Sequence, residues 1–125
     1  MDARSGELVI FRSAVAYLLF IVLTMPSLAM AAAPTRAISI HKGGFVPAQL
    51  ELPAGVKVKL TITNADDFPA EFESIDLSRE IIVPVQRSVT VFVGPLRAGR
   101  YEFFNDFNPV MRGVITVKPI NEGMN

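Results

Sequence analysis

The chain has 125 residues, half of them apolar, and its twelve basic and twelve acidic side chains give a formal net charge of zero at pH 7. Lysine and arginine are scattered singly, so the basic patch of a nucleic-acid-binding protein is missing. Cysteine is absent, which excludes disulfides, a disulfide-linked partner, thiolate catalysis and cysteine-held metal clusters.

The first residues have the pattern of a secretory signal peptide. A short basic start precedes ten continuously apolar residues, 14–23, and small residues follow up to position 33. The alternative is an uncleaved anchor, but the apolar run is shorter than the roughly 20 residues that a spanning helix needs. We predict a signal peptide at 1–33, cleaved after Ala31 or Ala33, and one domain at 34–125 that works in the periplasm.

The rest of the chain predicts an all-β domain. Apolar and polar residues alternate with the period of a half-buried strand, and glycine, proline and asparagine mark turns between the alternating segments. Short strands at this spacing are typical of a sandwich. Only residues 75–80 favour a helical turn. Strands are predicted at 37–40, 56–63, 88–93, 101–104 and 114–118.

Four sequence blocks resemble the cupredoxin-like domains of bacterial periplasmic proteins. They are FVPAQLELPAG (45–55), DDFPAEFES (66–74), GPLRAGRYEFF (94–104) and NDFNPVMRG (105–113). The resemblance covers nearly all of the domain after the signal peptide. It implies a Greek-key β-sandwich of seven to eight strands. It also implies a metal site at one end, between the DDFPAEFES block and the loop after the YEFF strand.

A blue-copper site uses a cysteine, two histidines and an axial methionine. The resemblance places the first histidine at Ala70, the cysteine at Asn105, the second histidine at Asn108 and the methionine at Met111. Only Met111 is a ligand type, so a type 1 copper site is not expected. His41, the only histidine, precedes a glycine pair and is interpreted as a solvated residue at the end of a strand.

Acidic residues lie beside these positions. Glu71 follows Ala70, Glu73 lies two residues further on the same strand face, and Asp106 lies in the loop. Carboxylates suit iron, manganese, calcium or magnesium better than Cu(I). We therefore predict a metal site formed by Glu71, Glu73, Asp106 and Met111, with iron as the metal. The alternatives are a solvent-facing strand edge paired with Arg79 or Arg112, and a methionine that only packs against the loop.

The acidic variant resembles the cupredoxin-like component that accompanies bacterial high-affinity iron permeases. The resemblance implies that the domain binds iron and delivers it to a membrane iron permease or an associated periplasmic protein. A metal-free interaction module is the alternative, and blue-copper electron transfer is a second one. No catalytic constellation is visible, so an enzyme is not expected. The docking surface of the module would contain Phe68, Phe104, Phe107, Pro109 and Val110.

Overall fold

A computed structural model describes residues 26–27 and 32–119 of the chain. Within these residues there are nine strands and no helix, and none of them belongs to a helix able to cross a membrane. The predicted signal peptide lies almost entirely outside the described residues and stays a prediction. The strands are β1 Thr35–His41, β2 Gly44–Val46, β3 Gln49–Pro53, β4 Val58–Asn64, β5 Ala70–Ser74, β6 Arg79–Val83, β7 Ser88–Val93, β8 Gly99–Asn105 and β9 Asn108–Lys118.

The strands form two sheets. One has four strands in the order β2-β1-β4-β7, and the other has five in the order β3-β9-β8-β5-β6. Two pairs, β1 with β4 and β3 with β9, are parallel, whereas the other neighbours are antiparallel. The predicted all-β sandwich is therefore confirmed. The described residues contain nine strands rather than seven to eight, because the short strands β2, β3 and β6 form as well.

The core lies between the sheets and follows the alternation in the sequence. In β4, Val58, Leu60 and Ile62 are at most 1% exposed, while the intervening residues face outward. Three aromatic rings fill the core, and the centroid of Phe103 lies 4.9 Å from that of Phe45 and 5.1 Å from that of Phe72. Phe72 and Phe103 are the largest fully buried side chains of the domain, and together with Phe45 they pack the two sheets against each other.

The prediction of a helical turn at residues 75–80 is wrong in its extent. A single turn covers residues 75–78, closed by a hydrogen bond of 3.1 Å from the Ser78 N–H to the Ile75 carbonyl. Strand β6 then begins at Arg79 and pairs antiparallel with β5, with Glu80 directly opposite Glu73. Pairing of the backbone with β5 outweighs the weak helical preference of so short a segment.

Candidate functional site

The four positions that the resemblance assigns to copper ligands converge at one end of the sandwich. We call Ala70, Asn105 and Asn108 the vacated slots. They line a cavity of about 560 Å³ together with Met111. The positions that the resemblance assigns to copper ligands therefore all line one pocket. Its other lining residues are Ile40, Gly43, Asp66, Phe68, Pro69 and Phe107, and we call the whole the end pocket.

The buried amide of Asn105 ties three parts of the end pocket together. Its Oδ1 accepts a hydrogen bond of 2.9 Å from the backbone N–H of Glu71 and one of 3.1 Å from that of Phe107. Its Nδ2 donates to the sulfur of Met111 at 3.4 Å. Asn105 is only 4% exposed, and its bonds to the Glu71 N–H and the Met111 sulfur are buried, while that to the Phe107 N–H is partly buried. The residue in the cysteine position thus acts as a structural crosslink between β5, the loop and β9.

A second buried asparagine, Asn64, holds the other loop that lines the end pocket. Asn64 is fully buried, and its Nδ2 donates to the carbonyl of Phe68 at 2.7 Å, while its Oδ1 accepts from the N–H of Asp66 at 2.9 Å. The Asp66 carboxylate in turn accepts hydrogen bonds from the backbone N–H groups of residues 42 and 43 at 2.7 and 2.9 Å. Both loops beside the end pocket are therefore fixed by side-chain hydrogen bonds to the backbone.

The mouth of the end pocket is surrounded by exposed apolar side chains. Phe68 is 78% exposed and Phe107 51%, whereas the exposed Val110 does not line the pocket. Phe104, which the sequence grouped with them, lies elsewhere, because its ring on the outer face of the five-stranded sheet packs under the Arg112 guanidinium at 5.2 Å. The surface around the mouth is thus smaller than predicted, but it is distinctly apolar.

The predicted metal residues do not all lie on one side of the sheet. Glu71 and Glu73 alternate with Phe72, which points into the core, so both carboxylates lie on the outer face of the five-stranded sheet. Met111, 6% exposed, belongs to the core on the inner face. Strand alternation therefore separates Met111 from the three carboxylates.

The outer face brings four carboxylates together. The Asp106 N–H donates to the Glu71 carbonyl at 3.0 Å, and Glu80 lies opposite Glu73 in the strand pair. The Glu80 and Asp106 carboxyl groups both lie near enough to raise the pKa of Glu71 and of Glu73. We call Glu71, Glu73, Glu80 and Asp106 the carboxylate patch. The sequence analysis did not identify Glu80, because only the strand register opposite Glu73 places it in the patch.

Crowding of like charges changes the protonation of the carboxylate patch. The hydrogen bond with the Glu80 carboxyl, burial, and the negative charges of Glu80, Asp106 and Glu73 raise the pKa of Glu71 to about 7. Burial and the charge of Asp106 also raise the pKa of Glu73 above its ordinary value. These carboxyl groups therefore keep a proton to a higher pH than an isolated carboxyl group does.

The end pocket does not fit copper. Its side-chain nitrogen and oxygen donors are the amides of Asn105 and Asn108 and the Asp66 carboxylate, which already accepts two backbone hydrogen bonds. The Met111 sulfur already accepts a hydrogen bond from Asn105. His41 is exposed at the end of β1 and does not line the pocket. Among residues 32–119 no three His, Cys, Asp or Glu side chains have an arrangement ready to hold a metal ion. The alternative ion pair between the acidic strand edge and Arg112 is also not seen. The Arg112 guanidinium lies 3.9 Å from the Glu102 carboxylate instead.

A curated relative and several solved structures are similar to this chain. The uncharacterized protein RP394 of Rickettsia prowazekii (strain Madrid E) is 46% identical over 71 residues, which cover 57% of each protein. This chain thus spans 57% of the length of that relative.

The solved structures share the fold at lower identity. The metal-binding domain of the Cu(I)-exporting ATPase CopA of Streptococcus pneumoniae, with Cu(I), has a TM-score of 0.63 at 20% identity, covering 72% of this chain and 91% of that one. A purple cupredoxin from Nitrosopumilus maritimus has a TM-score of 0.51 at 26% identity, covering 66% and 98%. Amicyanin from Paracoccus versutus has a TM-score of 0.54 at 18% identity, covering 73% and 86%.

The sequence itself matches a family over most of its length. The match covers residues 13–117 and is to the family described as the cupredoxin-like domain. The two-sheet sandwich and the copper proteins with the same fold agree with this match. The chain therefore belongs to the cupredoxin-like domain family.

Proposed function

We propose that this protein is a metal-independent docking module of the cupredoxin fold that binds a partner protein in the periplasm and is not an enzyme. The observation that carries the proposal is the end pocket. A cavity of about 560 Å³ opens between exposed apolar side chains, where a copper protein of this family would hold its metal. Solved structures with this fold include a copper-loaded domain, whereas here the pocket offers amides in place of soft ligands.

Exposed apolar area at the mouth supports docking. A side chain such as Phe68 gains about 1.5–3 kcal/mol when it is fully removed from water, and here it is 78% exposed. The hydrogen bonds of Asn64 and Asn105 fix the surrounding loops before any partner arrives. A rigid apolar surface loses little conformational entropy on binding, which favours association.

The docking proposal can be tested by site-specific photo-crosslinking in the native cell. A photoreactive phenylalanine analogue is placed at Phe68 in one strain and at Phe92 in another. Phe92 is the matched control, because it is also an exposed phenylalanine, 44% exposed, but lies on β7 in the four-stranded sheet. We expect a discrete crosslinked species from position 68 alone, and its yield should be unchanged by a chelator. Identical crosslinking patterns at the two positions would refute the proposal.

A second candidate function is binding of a hard cation by the carboxylate patch, with iron as the metal and delivery to a membrane permease as its purpose. The specific observation is that Glu80 lies opposite Glu73, that Asp106 bonds to the Glu71 backbone, and that both ion pairs in the described part of the chain involve other carboxylates. Oxygen donors of this kind are the ligands that hard cations prefer. Binding would require these carboxyl groups to rearrange around the ion, since no three of the described acidic residues are arranged to hold one. Met111 would take no part.

Calorimetry separates this candidate from the docking module. Purified protein is titrated with Fe(II), Fe(III), Mn(II) and Cu(II), and the titrations are repeated with Glu71→Gln/Asp106→Asn. The control is Glu51→Gln, because Glu51 is an exposed carboxylate that pairs with Lys118 at 2.6 Å, away from the carboxylate patch. Cation binding by the patch predicts loss of an isotherm in the double variant only. If the isotherms of all three proteins are the same, the carboxylate patch is not a metal site.

A further inference from the structure

We propose that Arg79 protects the free edge of β7 against strand addition by a second copy of this chain. Without the Arg79 guanidinium, the β7 strands of two copies pair and join their four-stranded sheets into one. The inference identifies β7 as a surface for self-association and Arg79 as the residue that blocks it. It does not depend on the docking function or on the carboxylate patch.

Strand β7 has a free edge. It is the last strand of its sheet in the part of the chain that the structure describes. The Lys59 N–H donates to the Pro34 carbonyl at 2.8 Å, so the backbone polar groups of Lys59 point away from β7, toward the β1 side. Phe92 lies opposite Lys59 in the antiparallel register, and this pair therefore shares no hydrogen bond. The N–H and carbonyl groups of Phe92 consequently point to the free edge, and those of Thr90 and Ser88 follow with the period of two.

The sequence of β7 favours pairing between chains. The segment SVTVFV (88–93) contains valines and a phenylalanine, and it has no charged residue, proline or glycine. Exposed segments of about six residues with this composition are the ones that pair with copies of themselves. Native edge strands usually prevent such pairing with a charge, a proline or a bulge. The register of β7 with β4 is continuous from end to end, so β7 has none of these features of its own.

Arg79 supplies the missing charge from the other sheet. It has the strand parity of Ile81 and Val83, which pack on the core, so its side chain starts between the sheets at their rim. Its Nε donates to the Phe92 carbonyl at 3.1 Å, and its Nη1 donates to the Ser78 carbonyl at 3.1 Å. The guanidinium thus occupies a backbone acceptor that an added strand needs. An added strand would also remove water from this charge, which is costly. An inward-pointing charge of this kind is a recognised protection of sheet edges.

Size-exclusion chromatography with light scattering measures the association. We expect the unmodified protein to stay a monomer and Arg79→Ala to approach twice that mass as its concentration rises. Arg79→Lys keeps a positive charge at the edge and should remain a monomer. Arg100→Ala is the matched control, because it removes an exposed arginine from β8 in the other sheet. If Arg79→Ala keeps the monomer mass, or if Arg100→Ala associates to the same degree, the inference is overturned.

An introduced cysteine locates the contact, because the chain has no cysteine of its own. Thr90→Cys lies on β7, and Ala37→Cys, at an equally exposed position, lies on β1, two strands from the free edge. Each is combined with Arg79→Ala and treated with a short bis-maleimide crosslinker. We expect at least about tenfold more crosslinked dimer from position 90 than from position 37, and little from Thr90→Cys alone. Equal yields at the two positions, which unfolding would also produce, would contradict edge pairing.

The docking function is decided separately by crosslinking at position 68.

Discussion

Replacing Asn105 with alanine tests whether the amide crosslink maintains the end pocket. The substitution removes the acceptor of the Glu71 and Phe107 N–H groups and the donor to the Met111 sulfur. The Glu71 N–H is buried and loses its partner completely, while that of Phe107 is partly accessible to water. A buried donor left without a partner costs about 1–3 kcal/mol. Including a smaller loss at Phe107, we expect the free energy of unfolding to fall by about 2–4 kcal/mol.

Urea denaturation followed by circular dichroism measures this loss. For a domain of this size the slope of unfolding free energy against urea is about 1 kcal/mol/M, so the midpoint should fall by about 2–4 M. Asn108→Ala is the control. Asn108 also lines the end pocket but is exposed, and its replacement should change stability by less than about 0.5 kcal/mol. Equal losses in the two variants would refute the assignment of Asn105 as a crosslink.

Three further predictions concern the core, the carboxylate patch and the vacated slots. Gly113→Ala should cost about 1–3 kcal/mol in urea denaturation, because a Cβ there overlaps the Phe103 ring and lies 2.8 Å from the Ala48 carbonyl oxygen. Because the pKa of Glu71 is raised in the folded protein, Glu71 keeps its proton at pH values where the unfolded chain has lost it. The melting temperature should therefore fall as the pH rises from about 4.5 through 7. Glu71→Gln should reduce this dependence of the melting temperature on pH. In the variant Ala70→His/Asn105→Cys/Asn108→His, copper should raise the melting temperature and produce intense visible absorption. The unmodified protein should show neither effect. If the variant shows neither effect, these positions do not correspond to the copper ligands.

Most strands with a regular alternation could be predicted from the sequence, although β3 was missed despite the buried Leu50 and Leu52 alternating with polar residues. The irregular strands could not be predicted. In β4 every second residue is apolar, and Leu60 and Ile62 are fully buried as that pattern requires. Strand β2 has only three residues, too few to establish a period. Strand β6 has consecutive apolar residues that fit strand and helix equally well. It forms because β5 offers it a partner, which is a tertiary effect that local sequence does not contain.

The end pocket was more accessible to prediction than the carboxylate patch. The family's sequence blocks carry the positions of Ala70, Asn105 and Asn108 with them, and the structure brings these residues to one cavity. The composition of the patch depends instead on the face of each strand and on register across two strand pairs. Spacing along the chain placed Met111 near Asp106, but alternation in β9 turns Met111 to the core. Glu80 joins the patch only because a turn of four residues, 75–78, sets it opposite Glu73.

Asn105 explains how this end of the sandwich can keep its form without a metal. In a blue-copper site the ion links side chains from separate segments and so orders the loop that carries them. Here a neutral amide with two donor hydrogens and one acceptor oxygen connects the backbone of β5, the backbone of the loop and a side chain of β9. These bonds are independent of redox state and of metal supply. The pocket is consequently ordered before binding, and a partner does not have to supply the free energy of arranging it.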